Sequence, residues 1–129
     1  MSLLEANEVA ELELDQESAH CRLNDIEVRS FPIPNRGVPT SHKSVYDLTG
    51  SIKDQLTHGR SVAIHCRAGI GRSSLIAACV LTQLGFDSET ALALIGTARG
   101  VRVPDTDEQH AWVMQFQKEF PYSSAGFVT

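Results

Sequence analysis

The residues best suited to do chemistry stand together at His65-Cys66-Arg67-Ala68-Gly69-Ile70-Gly71-Arg72-Ser73-Ser74. Gly69 and Gly71 permit the positive φ angles and close backbone approach that a tight anion-binding loop requires. The amides of such a loop, and of a helix beginning after it, converge on one point and favour an anion there. Arg72 adds a planar fork of donors matched to two oxygens of a phosphate. The same field favours the thiolate of Cys66 over the thiol. Ser73 can donate a hydrogen bond to the sulfur and ease its departure as a leaving group. A buried, inert cysteine is the common fate of an unpaired thiol, but burial accounts for neither the glycines nor the arginine. The chemistry implied is nucleophilic attack by Cys66 on a bound oxyanion. The cradle runs from Arg67 through Ala68, Gly69, Ile70 and Gly71 to Arg72.

Such a site needs a strand ahead of the cysteine and a helix behind the arginine. Ser61-Val62-Ala63-Ile64 is short, apolar and β-branched, which predicts a buried strand. Leu75 to Leu81 is apolar all round and predicts a buried helix opening at Arg72. Upstream, Met1 to Leu4 fits the end of a strand, and Glu5 to Leu14 a short helix with Val9 and Leu12 inward. His20 and Cys21 fall in a polar stretch expected to be surface loop. Ile26, Val28 and Phe31 alternate well enough to predict a strand over Asp25 to Phe31, before the proline-stiffened loop Pro32 to Pro39. Thr40 or Ser41 caps a helix running to about His58, with Val45, Leu48, Ile52 and Leu56 on one face and Gly59 as its stop. A third helix starts at Asp87 or Ser88 and buries Ala91, Leu92, Ile95 and Ala98. The last opens at Asp105 or Thr106, where Thr106 and Gln109 form a capping box, and Trp112, Val113 and Phe116 face the core. Strands alternating with helices predict an α/β fold, a central and mostly parallel sheet flanked by helices. The Gly71–Arg72 turn would lie at the C-terminal edge of that sheet, where such folds bind ligands.

The 129 residues, 42% hydrophobic and 21% charged, suit one globular domain over 1–129, with 1–24 as an atypical or shortened N-terminal part and 121–129 as a polar tail. The net charge of −5 argues against general binding to nucleic acid or to an anionic membrane. Cys21, Cys66 and Cys79 show neither metal-ligand nor disulfide spacing. A thiolate nucleophile needs a reducing setting, so the cytoplasm is the expected location. No cofactor or metal cluster is visible in the pattern.

At His65, Cys66, Gly69, Arg72 and Ser73 the chain resembles the cysteine-dependent protein tyrosine phosphatases, in their compact dual-specificity-like branch. The signature His-Cys-x-x-Gly-x-x-Arg-Ser/Thr is matched at each of those residues, and the resemblance runs from about Glu27 to about Phe120. It implies a phosphatase-like fold, a phosphorylated protein as substrate with phosphotyrosine first and phosphoserine or phosphothreonine second, and a cysteinyl-phosphate intermediate. Phosphate, sulfate or vanadate would be site ligands. Members of the family usually carry a further strand and helix upstream, so a gap is expected at one edge of the sheet. Gln109 resembles a glutamine that positions the hydrolytic water in several branches, and His65 would orient the nucleophile. Phosphoinositide phosphatases of the family are less similar, because they carry lysines where Ala68 and Ile70 stand.

One departure bears on activity. Expelling the leaving group needs a proton, and a positioned carboxylic acid contributes about 10²–10⁴ in rate. The family supplies it from an Asp on a loop upstream of the cysteine, and Asn35 occupies that place here. An amide can hydrogen-bond but cannot give up that proton, so turnover is expected to be reduced. Asp105 or Asp107 are alternative donors, although both also suit helix capping. Arg36, Arg99 and Arg102 are candidates for a positive rim. The alternative to an enzyme is a phosphate-binding interaction module, a pseudophosphatase with little turnover.

Overall fold

The computed structural model describes residues 1–67 and 70–122. The regular elements of that part are α1 (Ala6–Glu11), α2 (Glu17–Leu23), α3 (His42–Thr57), α4 (Arg72–Gln83), α5 (Ser88–Arg99) and α6 (Asp107–Glu119). α4 is the hub. It packs against α3, α5 and α6, and Leu75, Ile76, Ala78, Cys79 and Val80 are all buried. A fully buried Leu or Ile contributes about 1.5–3 kcal/mol, so a helix apolar on every side is held chiefly by its neighbours. Burial also pushes the Cys79 thiol pKa well up, which leaves that cysteine a neutral core residue. Val45 and Ile52 of α3, Ala91 and Leu92 of α5, and Trp112, Val113 and Phe116 of α6 close the core around it.

Local chemistry sets the helix ends. Ser41 Oγ accepts from the Ser44 N–H to open α3, and Gly59 follows its end at φ 78°. The Asp87 carboxylate accepts from the Thr90 N–H and hydroxyl, which holds its pKa below the ordinary value. Gly100, at φ 72°, closes α5 in the left-handed region open to glycine. Thr106 and Gln109 form the capping box of α6 in both directions. Leu56 and Ala98, expected inside, are exposed.

The sheet is where expectation and structure part. Met1 to Leu4 lies between two extended segments. On one side the Ser2 N–H donates to Arg29 O at 2.8 Å and the Phe31 N–H to Ser2 O at 2.8 Å; on the other the Leu3 N–H donates to His65 O at 3.0 Å. Both pairings are parallel, but each amounts to an isolated bridge, Ser2 with Ser30 and Ser2 with His65. Asp25–Phe31 and Ser61–Ile64 therefore do not form ladder strands, and Ser61 and Ala63 are exposed rather than buried. The contacts between Met1–Leu4 and the flanks are few: besides these bonds, the His65 N–H donates to Met1 O at 3.0 Å, the Ile33 N–H to Leu3 O at 3.0 Å and the Met1 amino group to Ala63 O at 2.9 Å. A hollow of about 500 Å³ lies between those flanks, bounded by Met1, Ile26, Glu27, Ile52 and Val62. The expected gap thus falls between the extended segments and not at an outer edge. His20 and Cys21 also differ from expectation, since they belong to helix α2. Leu12, just past the end of α1, is 37% exposed and Val9 half-buried, while Glu8 is the buried residue of the helix. Among the described residues no helix is long and apolar enough to cross a membrane.

Candidate active site

The segment ending at Cys66 and the N-terminus of α4 bring Cys66 and Arg72 to one cavity of about 260 Å³. Cys66, Ile70, Gly71 and Arg72 line it from one side, Asn35 and Arg36 from the proline-stiffened loop, and Asp105 and Gln109 from the turn into α6. Ala68 and Gly69, expected in the anion cradle, lie outside the described residues. Cys66 is half-buried, and its Sγ is 3.5 Å from Ser73 Oγ, within reach of an O–H donor when the sulfur is ionised. Gly71 is the N-cap of α4 at φ −90°, so a positive φ is not what this glycine provides. It provides room: a Cβ there would come within 2.7 Å of Gln109 Oε1 and 3.0 Å of the Asp105 Cβ.

Arg72 is the first residue of α4 and is 2% exposed. Its Nη1 donates to Glu8 Oε1 at 2.6 Å and to Ile33 O at 2.9 Å; its Nη2 donates to Glu8 Oε2 at 2.7 Å and to Asn35 Oδ1 at 3.2 Å. The hydrogen bonds from Arg72 hold the Glu8 carboxyl below its ordinary pKa despite burial, and the same bonds raise the pKa of the guanidinium. Both groups are therefore charged. Two more carboxylates of the N-terminal helical segment reach the residues around the cysteine. Arg67 Nη1 donates to Glu11 Oε2 at 2.6 Å, and His65 Nε2 is 2.8 Å from Glu17 Oε1. Arg67 accordingly extends its side chain onto α1 and does not line the cavity.

Gln109 is fully buried and serves as a bracket. Its Oε1 accepts from the Asp105 and Thr106 N–H groups, and its Nε2 donates to Gly37 O at 3.0 Å. The capping role and the site therefore share one side chain, with the amide tying the Asn35 loop to α6 while facing the cavity. Asp105 lines the cavity, but its Oδ2 is held by Arg36 Nη1 at 2.9 Å. Asp107 sits in the first turn of α6 and, with Arg102 and His110, borders a separate hollow of about 210 Å³. Glu8, Glu11 and Glu17 went unnoticed in the sequence. The available signal was weak, consisting of acidic residues clustered in a segment whose apolar residues were too few to bury it.

The fold recurs in known proteins. Kinase associated phosphatase, in a crystal structure with its catalytic-site cysteine replaced by serine, superposes with a TM-score of 0.84 at 23% identity, over 92% of this chain and 67% of that one. Tk-PTP in its active form gives a TM-score of 0.77 at 26% identity, over 92% and 76%. Cyclin-dependent kinase inhibitor 3 of Rattus norvegicus and of Homo sapiens are each 31% identical over 88 residues, covering 67% of this chain and 41% of theirs. The alignment therefore spans less than half the length of those relatives. Residues 4–122 match the family described as Swiss Army Knife protein, DSP-PTPase phosphatase domain. With that match covering nearly the whole chain, the protein belongs to this family of dual-specificity-type phosphatase domains.

Proposed function

We propose that the protein hydrolyses phosphate esters on proteins, phosphotyrosine first and phosphoserine or phosphothreonine second, and that it does so slowly. The supporting observation is the convergence of Cys66, Arg72 and Asn35 on one cavity at the N-terminus of α4. In this scheme Cys66 Sγ attacks phosphorus, the P–O ester bond breaks, and the leaving oxygen takes its proton from water because Asn35 has none to give. Arg72, the helix N-terminus and the loop amides balance the charge that builds on the phosphoryl oxygens. Water then attacks the cysteinyl phosphate, the S–P bond breaks, and Ser73 donates a hydrogen bond to the departing thiolate. Gln109 acts in holding the Asn35 loop, since its amide is already committed to three backbone groups. The scheme calls for no cofactor or metal, and a reducing compartment such as the cytoplasm suits the thiolate. Phosphate, sulfate and vanadate are the expected site ligands.

Asn35 favours one second reading, a phosphate-binding module with little turnover. Phosphate release from an aryl phosphate separates the two. Steady release that vanadate inhibits and Cys66→Ser abolishes supports the enzyme, whereas binding of a phosphotyrosine peptide with no release by the unaltered protein would establish the module.

A further inference from the structure

The turn that carries Asn35 holds an arginine where a backbone of that shape favours glycine. The Gly37 N–H donates to Pro34 O at 2.8 Å, which closes a four-residue turn whose third residue, Arg36, has a φ of 58°. Glycine or asparagine is the unstrained choice at that left-handed place. Strain of this kind gathers at functional sites, where the surroundings hold the residue in place. The Arg36 side chain stands at the cavity of Cys66, which it lines together with Asp105. We propose that Arg36 is a specificity-determining residue, whose guanidinium exchanges the Asp105 carboxylate for an anionic group beside the phosphorylated residue of the substrate. The ligand class is a phosphopeptide with a carboxylate or a second phosphate next to the phosphoresidue. This deepens the phosphatase reading and rests on its placing of the phosphoryl group at Cys66.

Charge and exposure support the exchange. Of the described residues lining the cavity, only Arg36 and Arg72 are cationic. Arg72 is 2% exposed and paired with Glu8, whereas the Arg36 side chain is 66% exposed. Arg36 is therefore the cation that meets a peptide crossing the rim. Its Nη1 lies 2.9 Å from Asp105 Oδ2, and Asp105 is its sole ion-pair partner among the described residues. That pair shows that a carboxylate fits against this guanidinium at the rim. A solvent-exposed ion pair is worth little in water, so one carboxylate replaces another at small cost. The chain carries a net charge of −5, which disfavours acidic peptides at long range. A preference for them has to come from a local cation.

The test reads binding and does not depend on turnover. Peptides carry phosphonodifluoromethylphenylalanine, a phosphotyrosine mimic that is not hydrolysed, with Glu, Gln or phosphoserine on either side of it. Binding is followed by fluorescence anisotropy, and occupancy of the cavity by protection of Cys66 from iodoacetamide. The unaltered protein should bind the better Glu peptide about threefold to tenfold more tightly than its Gln counterpart. A larger gain with phosphoserine would name a second phosphate as the natural anion, and a smaller one a carboxylate. In Arg36→Gly, which also relieves the backbone, the Glu-to-Gln ratio should fall to one or below, because the Asp105 carboxylate is then unopposed. A ratio of one in the unaltered protein, or a ratio that survives in Arg36→Gly, would overturn the proposal. If Arg36→Gly does not fold, salt decides in the unaltered protein. The ratio should shrink towards one between about 0.02 M and about 0.5 M salt, and a ratio indifferent to salt would reject a rim cation. The phosphotyrosine forms of the same peptides separate this proposal from the hydrolase. Phosphate release with no Glu preference rejects the role of Arg36 alone, whereas Glu preference with no release rejects the hydrolase alone. Failure of every peptide to protect Cys66 would overturn both.

Discussion

In the proposed scheme Asn35 is the residue at which binding and turnover separate. Its Oδ1 accepts from Arg72, and an amide there has no proton to give a leaving group. Replacing it with Asp should raise the cleavage step by about 10²–10⁴ for poor leaving groups such as tyrosine, and far less for an aryl phosphate whose phenol is already acidic. A plot of log kcat against leaving-group pKa should fall steeply for the unaltered protein and lie nearly flat for Asn35→Asp. Equally flat plots would point to Asp105 as the donor, once freed from Arg36. Gly71 makes a second prediction. The methyl of Gly71→Ala would strike the Gln109 amide and the Asp105 side chain, loosening the bracket to Gly37 O. A loss of about 1–3 kcal/mol is expected, read by urea unfolding, together with weaker phosphate protection of Cys66.

Helices were legible where their signals are local. The Thr106–Gln109 capping box, the Ser41 cap, the Gly59 stop and the apolar run from Leu75 each act within a few residues of their own position, and each appears as expected. Thr106→Ala should accordingly cost about 1 kcal/mol in urea unfolding, with the Gln109 bracket to Gly37 O as the interaction that limits the loss. Extended segments were not legible in the same way, because a ladder depends on the length of its partner. Val28 and Val62 carry good strand signals, yet the four residues between the flanks pair only at Ser2. Glu8 escaped for a related reason. A helical period nominated Val9 and Leu12, whereas the buried side chain is a carboxylate chosen by an arginine 64 residues further on. Cys66, Arg72 and Ser73 could be read together because they lie on one short stretch; the parts of the site contributed by Glu8 and Ile33 could not.

Across the whole molecule the Glu8–Arg72 pair ties the N-terminal segment to the hub helix, and its charge state makes stability depend on pH. The Glu8 pKa is lowered on folding from an ordinary value of 4.5. Its contribution is therefore fully present above about pH 4.5 and is lost as pH falls through the lowered folded value. Stability measured by urea unfolding should decline below pH 4.5, and the decline should be shallower in Glu8→Gln. The knot at Arg72 also has a consequence in time. Its guanidinium is held by groups 39 and 64 residues away in the chain, and closing such long loops comes late compared with forming helices. A refolding chain should regain most of its far-ultraviolet helix signal before phosphate can shield Cys66. Followed by stopped flow with pulsed alkylation, the interval between the two is a period in which the thiol is present but no oxyanion can yet be held beside it.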